Sequence, residues 1–342
     1  MKKENKRVTV IGGGTGVFTV LTGLKHLPYH LSAILTMADD GGSSGVLREE
    51  FGILPPGDIR RALLALAPSS THNLAKLFNF RFKDGSGLKG HSFGNLLITA
   101  LERITGRFDL AVKEAAKILN ISGEIIPVTL DNTRLFARLE NGLLIVGESN
   151  IDIPKHNANL KIKEVFLNPP AKINPEARRA ILNADLIVLG PGDLYTSLIP
   201  NLLIKGVKEA IRKSRGQKVY FCNIMTKYGE TNGFKAKDFL MVLEKYLGKN
   251  VLDYFVINTQ KPKAEYLKKY AKEKKELVLF DSKEFVGYPV FVSKSVKIDK
   301  KFLTKPSPRG KTKIIALPLI RRGALLRHDP LRLAGLVQAL LS

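Results

Sequence analysis

Two adjacent acids, Asp39 and Asp40, stand directly before a run rich in glycine and serine, "GGSSG", that begins with Gly41, Gly42 and Ser43. Carboxylates of this kind take the ribose hydroxyls of a nucleotide, or hold a magnesium ion that bridges to its phosphates. The glycines let backbone N–H groups approach an anion closely. Both interpretations predict that the segment lies at a nucleotide site, and both stay open on the sequence. On the residues alone, either Asp39 or Asp40 is a candidate metal ligand.

Glycine-rich loops follow two of the apolar segments. The first contains Gly12, Gly13, Gly14, Thr15 and Gly16. Glycines between a strand and a helix allow a phosphate to reach the free N–H groups of the helix. Val17 stands where the third glycine of the dinucleotide fingerprint belongs, and the lysine of a Walker A loop is missing. The loop therefore predicts a phosphate site of another kind, with a tight structural turn as the alternative.

The second loop repeats this design after "DLIVLG" (185–190). It contains Gly190, Gly192 and a polar rim, and the rim residues are Asp193, Thr196, Ser197 and Asn201. In an open parallel sheet, ligands bind at the carboxyl ends of strands where the strand order reverses. Two glycine turns at two strand ends are therefore expected to flank one crevice. Asp193 is equally well explained as a helix cap.

Four further stretches offer polar side chains at element ends. Asp58 opens a helix in "PPGDIRR", where it either complements the helix dipole or serves the site. His91 and Asn95 belong to "GHSFGN", although His91 would also suit the surface. Asn223, Thr226, Glu230 and Thr231 follow a strand and could line the same mouth. In "RHDP", Asp329 is explained as the cap of a helix that begins at Pro330, which leaves Arg327 free to contact an anion.

The elements that must position these residues alternate between strand and helix along the whole chain. Near-continuous apolar strands such as 185–190 are typical of parallel strands covered on both faces. Repeated strand–helix units predict a three-layer α/β/α, Rossmann-like, doubly wound and mainly parallel sheet. Short strand-like runs separated by turns predict a small antiparallel elaboration at about 122–170. We expect one nucleotide-binding domain over residues 1–342.

The composition is that of a soluble globular protein, with 44% hydrophobic and 25% charged residues. No apolar run is long enough to span a bilayer, and no signal peptide is evident, so we expect a cytoplasmic protein without a membrane span. Cys222 is the sole cysteine, which excludes an intrachain disulfide. The net charge of +24 fits either a nucleic-acid-binding face or a lysine-rich solvated surface. Without a nucleic-acid motif, we favour a small anionic ligand.

Taken together, the motifs resemble those of the gluconeogenesis factor family, whose members bind UDP-sugars and are implicated in cell shape and in growth on gluconeogenic carbon. The superfamily of that family includes the 2-phospho-L-lactate transferases. The resemblance covers residues 7–341 and rests on, in order, "GGGTG", "ADDGGSSG", "LPPGDIR", "LFNFRF", "GHSFGNLLITAL", "ADLIVLGPGDLYTSLIPN", "CNIMTKYGET" and "RHDP". It implies a Rossmann-like fold and a nucleotide-diphosphate ligand.

The resemblance also implies roles for single residues. It puts Thr15, Asp40, Asn201 and Arg327 at matching positions of the UDP-sugar site, and Asp58 at the acid that meets the deazaflavin acceptor in the transferases. Two departures stand out: Asp193, where a serine is usual, and Lys227-Tyr228, where Gln-Pro is common. The transferases carry a different segment in place of "DDGGSSG", so this chain resembles the UDP-sugar branch more closely.

Three functions remain as hypotheses at this point. The first is a UDP-sugar-binding regulator of envelope synthesis or morphogenesis, expected to act as a homodimer and to take magnesium only with the nucleotide diphosphate. The second is an enzyme, a transferase that moves a phosphoester group from a nucleotide donor to a deazaflavin acceptor, with Asp58 as its catalytic residue. The third is a basic nucleic-acid-binding protein, which would need a continuous positive face.

Overall fold

The computed structural model of the chain describes residues 5–304, 310–321, 323 and 325–342. The single domain expected for 1–342 therefore also includes residues 1–4, 305–309, 322 and 324, which lie outside the described part. Within the described residues, no helix has both the length and the apolar character needed to cross a membrane.

The centre of the described chain is an eight-stranded sheet in which every neighbouring pair of strands runs parallel. Its strands are β1 (Arg7–Gly12), β2 (His30–Leu35), β3 (Glu124–Pro127), β7 (Leu186–Leu189), β8 (Gln217–Phe221), β9 (Tyr254–Asn258), β10 (Val290–Val292) and β11 (Lys313–Leu317). Their spatial order is β10-β11-β9-β8-β7-β1-β2-β3. The order reverses between β1 and β7, which makes that gap the topological switch point.

Helices pack on both sides of this sheet, so the predicted α/β/α architecture is confirmed. They are α1 (Gly14–Leu24), α2 (Gly42–Phe51), α3 (Gly57–Leu66), α4 (His72–Asn79), α5 (Phe93–Thr105), α6 (Phe108–Ile118), α7 (Glu148–Asp152), α8 (Pro175–Leu182), α9 (Ile199–Leu203), α10 (Val207–Lys213), α11 (Ala236–Leu247), α12 (Ala264–Lys272), α13 (Lys300–Thr304) and α14 (Pro330–Leu341).

Local sequence signals explain where several helices begin. The Asn174 side chain accepts a hydrogen bond from the Glu176 N–H at the start of α8, and Asp329 caps α14 in the same way. Helix α1 packs on α3 and α14, while α8 packs on α10. Strand β7 is apolar throughout and all four of its residues are buried, as expected for a strand covered on both faces.

The antiparallel elaboration is smaller than the predicted segment 122–170. It consists of β4 (Arg134–Leu139), β5 (Leu144–Val146) and β6 (Ile162–Asn168), in the order β5-β4-β6. Strand β3 was predicted to belong to it but instead pairs with β2 at the edge of the parallel sheet. Membership of one sheet or the other depends on which strand β3 pairs with, and a short apolar run in the sequence does not show which strand that is.

Candidate functional site

A cavity of about 610 Å³ opens at the carboxyl ends of β1, β2, β7 and β8, over the switch point. Its lining includes seventeen of the residues that the sequence analysis named: Gly13, Gly14, Thr15, Gly16, Asp39, Gly41, Gly42, Ser43, Asp58, Asn95, Gly192, Asp193, Thr196, Ser197, Asn223, Thr226 and Arg327. Seven other candidate site residues do not line this cavity: Gly12, Asp40, His91, Gly190, Asn201, Glu230 and Thr231.

The two glycine loops meet at the switch point. A Cβ added at Gly16 would lie 1.8 Å from the Pro191 carbonyl oxygen, so only glycine lets the loops approach this closely. Helix α1 begins at Gly14, and its N-cap, Gly13, has no side chain to satisfy the first N–H groups. Free N–H groups at a helix start attract anions. The paired loops therefore present backbone N–H groups of the kind that bind anions, apart from the Gly14 N–H, which donates to Asp58 Oδ2.

The segment after Asp40 is a helix start and not the wrapping loop expected from its glycines. Helix α2 begins at Gly42, with Gly41 as its N-cap, and again no side chain caps the helix. A Cβ added at Gly45 would lie 2.1 Å from the Asp40 carbonyl oxygen, so the glycine serves tight helix packing there. The backbone donors that the sequence predicted are therefore those of a second helix N-terminus facing the cavity.

Asp39 and Asp40 have different surroundings. Asp39 lines the cavity, and its Oδ1 accepts a 3.0 Å hydrogen bond from the Gly41 N–H. Burial raises the pKa of Asp39, against that hydrogen bond. Asp40 faces α7 instead, where its carboxylate accepts hydrogen bonds from the Glu148 and Ser149 N–H groups and from the Ser149 hydroxyl. Of the two acids, Asp39 is therefore the one placed to contact a ligand in the cavity, whereas the resemblance puts Asp40 at the matching position.

Asp58 is buried at the start of α3, and its Oδ2 accepts a 2.9 Å hydrogen bond from the Gly14 N–H. Burial, followed by the charge of Asp39, raises the pKa of Asp58 to about 6, although Arg61 opposes the shift. Asp58 therefore lines the cavity beside the first glycine loop. A carboxyl group that titrates near neutral pH can exchange a proton with a bound ligand.

A chain of hydrogen bonds supports the α2 end of the cavity. Arg60 Nε donates to Asn95 Oδ1, Asn95 Nδ2 donates to Ser43 Oγ, and Ser43 Oγ lies 3.1 Å from His91 Nδ1. Ser43, Asn95 and Arg60 line the cavity, whereas His91 stands behind them, buried. Sequence reasoning named three of these four as ligand contacts, and the structure gives His91 a supporting position.

The rim of the second glycine loop is held by Glu230, which the sequence analysis named in the same stretch as Asn223 and Thr226. Glu230 accepts hydrogen bonds from the Tyr195 N–H at 3.0 Å and from the Thr196 hydroxyl at 2.9 Å. Burial raises the pKa of Glu230 to about 8. Asn201 is fully buried and donates to the carbonyl oxygens of Gly12 and Ser197, so it ties the two loops together from below.

The two departures from the family pattern face each other across this rim. Lys227 Nζ lies 2.6 Å from Asp152 Oδ1 and 3.9 Å from Asp193 Oδ2. Burial alone would lower the pKa of Lys227, but the charge of Asp193 and the contact with Asp152 outweigh it, and the pKa is raised. Sequence reasoning missed Asp152, because nothing in a single sequence brings the elaboration to this loop.

The acids around the cavity differ in how well they suit a metal ion. The carboxylates of Asp152, Asp193 and Glu230 have oxygens within 4.8 Å of one another, but the Lys227 ammonium already contacts two of them, Asp152 and Asp193. The oxygens of Asp40 are taken up by α7, which does not fit the predicted metal role. Asp39, which lines the cavity near Asp58, is the carboxylate that best fits a magnesium ion bound with a phosphate.

Cationic side chains surround the cavity on two sides. Those that line it are Arg60, Arg61, Arg81, Lys227, Lys275 and Arg327. Beside the exposed Arg327, His328 is buried, and burial lowers its pKa to about 4, so its imidazole is neutral. Five acids line the cavity beside these six cations: Asp39, Asp58, Glu148, Asp152 and Asp193. The lining is therefore mixed in charge, and its cations and helix N-termini are the groups that could contact an anionic ligand.

Known proteins resemble this chain in sequence and in fold. The family model described as 2-phospho-L-lactate transferase CofD matches residues 8–295. A gluconeogenesis factor from Halalkalibacterium halodurans is 46% identical over 82% of this chain and 85% of its own. The gluconeogenesis factor of Bacillus subtilis is 43% identical over 82% of this chain and 87% of its own. A crystal structure of a UPF0052 family member from Bacillus halodurans superposes with a TM-score of 0.86 at 38% identity, covering 98% of this chain and 99% of that one.

Proposed function

Because the chain belongs to the CofD family and is similar to gluconeogenesis factors, we propose that it binds a UDP-sugar in the cavity over the switch point. The observation that carries the proposal is the meeting of two helix starts with glycine N-caps, at Gly14 and Gly42, with the second glycine loop in one crevice. A diphosphate offers two adjacent anionic groups, and each helix N-terminus suits one of them.

The proposal assigns the diphosphate to the floor made by the two glycine loops. Thr15, exposed at the start of α1, lies where its hydroxyl can donate to a phosphate oxygen. Arg327 supplies charge from the opposite rim. Asp39 accepts the ribose hydroxyls, or a magnesium ion that accompanies the phosphates. Asn201 contributes indirectly, by keeping the loops together.

The biological role that we propose is that of a regulator, in which ligand occupancy reports the supply of UDP-sugars to envelope synthesis and cell shape. The basis for this role is the name of the relatives and the design of the cavity. A binding regulator needs an affinity matched to the ligand concentration and needs no turnover. The proposal is independent of the oligomeric state.

A thermal-shift panel tests this function. The chain would be melted with UDP, GDP, UDP-glucose and UDP-N-acetylglucosamine, each with and without magnesium. Because a ligand stabilises the native state by mass action, saturation at 100 times the dissociation constant adds about 2.7 kcal/mol. The proposal predicts the largest shift with the uridine nucleotide sugars. Equal melting temperatures across the whole panel would contradict it.

Asp58 favours a second candidate, a transferase of phosphorus-containing groups. In that reaction an acceptor hydroxyl oxygen would form a bond to a phosphorus atom of the nucleotide donor, the bond from that phosphorus to its leaving group would break, and Asp58 would take the hydroxyl proton. A pKa of about 6 leaves most of the carboxylate ionised at pH 7 and ready to accept a proton. Mass spectrometry of a donor–acceptor mixture detects such a product, and its loss in Asp58→Asn would establish this candidate.

A further inference from the structure

We propose that Asp40 is a positioning residue, which acts on the ligand through α7 by holding this helix of the elaboration against the cavity. The proposal rests on the proposed function, because it concerns how the same cavity is built. Asp40 follows β2 of the parallel sheet, whereas α7 follows β5 of the antiparallel sheet. Their contact joins the two sheets at the rim of the crevice.

The contact between Asp40 and α7 uses nearly all of the carboxylate. Asp40 Oδ1 accepts from the Ser149 N–H at 2.8 Å and from the Ser149 hydroxyl at 2.7 Å, while Oδ2 accepts from the Glu148 N–H at 3.1 Å. An ionised carboxylate has about four acceptor sites, so these bonds leave little capacity for a ligand. Asp40 is also absent from the lining of the cavity.

Gly147 shows how closely the two parts approach. Its φ is +93°, and a Cβ added there would lie 2.6 Å from Asp40 Oδ2. A glycine at this position therefore lets the carboxylate reach the first N–H groups of α7. Any other residue would both strain the backbone and push the carboxylate away.

Helix α7 is held at its other end as well. Asp152, its last residue, meets Lys227, which follows β8 on the far side of the switch point. The helix therefore reaches from the β2 side of the crevice to the β8 side. Glu148, Ser149 and Asp152 all line the cavity, so a displaced α7 would change the wall that faces the ligand.

The elaboration keeps a separate attachment that does not involve Asp40. Arg48, buried in α2, donates to Asn132 Oδ1 and to the Thr133 carbonyl oxygen in the segment that leads into β4. Substitution of Asp40 is therefore expected to release α7 while the rest of the elaboration stays folded. This separation makes the proposal testable in the full chain.

Calorimetric titration with UDP-glucose compares Asp40→Asn, Gly147→Ala and the double variant with the wild type. Both single variants are expected to bind about ten-fold more weakly, the loss of a charge-assisted contact. The double variant is expected to be no weaker than the weaker single, because both changes break the same contact. Gly142→Ala is the matched control: its φ is +88°, but nothing lies within 4 Å of the added Cβ, so affinity should be kept.

Two results would overturn the proposal: wild-type affinity in Gly147→Ala, or losses of affinity that add in the double variant. Both are expected if Asp40 contacts the ligand directly. Hydrogen exchange without ligand gives a second readout. Residues 148–153 should exchange at least about ten-fold faster in Asp40→Asn, while β1 is unchanged. Unchanged exchange at 148–153 would also overturn the proposal. A wild type that fails to bind UDP-glucose counts against the proposed function, and the exchange result then still decides whether Asp40 holds α7.

Discussion

The Gly14 N–H donates a 2.9 Å hydrogen bond to Asp58 Oδ2 and so joins the first glycine loop to the start of α3. The approach depends on the preceding residue as well, because a Cβ added at Gly13 would lie 2.6 Å from the same oxygen. One backbone donor of α1 is thus already used by the protein. Asp58 is thereby held in a buried position close to the proposed phosphate site. This burial has a measurable cost in the free energy of unfolding.

Asp58→Asn should stabilise the protein at neutral pH. The native state keeps the Asp58 proton up to about pH 6, whereas an unfolded aspartate, with a pKa of 3.8, loses it earlier. Stability of the wild type therefore falls as the pH rises from about 4 to about 6, and the full cost is present above that window. Urea unfolding at pH 7.5 should show a gain of up to about 3 kcal/mol in the variant.

The same unfolding measurement at pH 4 is the control for this prediction. There, the native wild type keeps its Asp58 proton and the unfolded state, with a pKa of 3.8, is only part-way through losing it, so the gain of the variant should be small. A gain of the same size at both pH values would mean that titration of Asp58 is not its cause.

Thr15→Ala should weaken UDP-sugar binding about five-fold, which corresponds to the loss of one hydrogen bond of about 1 kcal/mol. Thr22→Ala is the matched control, because Thr22 lies in the same helix and its hydroxyl donates only to the Phe18 carbonyl oxygen. Calorimetric titration of both variants measures the difference. Equal affinities for the two variants would remove Thr15 from the proposed site.

Asp193 and Lys227 should be coupled energetically, although each alone reads as an isolated departure from the family pattern. The single changes Asp193→Ser and Lys227→Gln, and the double change, form a mutant cycle. Because Lys227 also faces Asp152, its loss removes the ion-pair partner of two carboxylates. We expect a coupling of about 1 kcal/mol in urea unfolding, discounted for the partly exposed side chains. Additive changes would show that the two positions are independent.

The net charge of +24 should serve a small ligand more than a polymer. We expect dissociation constants for DNA or RNA weaker than about 1 µM at physiological salt, with steep salt dependence and no sequence preference. A gel-shift assay across a salt series measures both properties. Sequence-selective binding in the nanomolar range would restore the nucleic-acid hypothesis.

The sequence predicts best where one local pattern determines the structure. Buried runs such as β7, and the glycine turns after β1 and β7, were predicted because apolar continuity and close backbone approach leave a local mark. The helix start at Gly42 was missed, because glycine and serine favour a loop by propensity, and packing against Asp40 decides otherwise.

Long-range partners account for the remaining differences. The pairing of β3 with β2, and the contacts of Asp40 and Lys227 with α7, join residues that lie far apart in sequence. No periodicity or spacing encodes such contacts in a single chain. The sequence therefore identifies both acids as site candidates, but only the fold shows that Asp39 lines the cavity while Asp40 binds α7.

Calorimetric titration of UDP-glucose into the wild type and into Gly14→Val tests the central claim most directly. Gly14 lines the cavity with a φ of +62°, so valine there would intrude on the proposed diphosphate position. Gly52→Val, at a φ of +67° outside this cavity, carries the same backbone strain as a control. The account predicts binding by the wild type and by Gly52→Val, and none by a folded Gly14→Val. A folded Gly14→Val that binds with wild-type affinity, or a wild type that binds no nucleotide sugar, would contradict it.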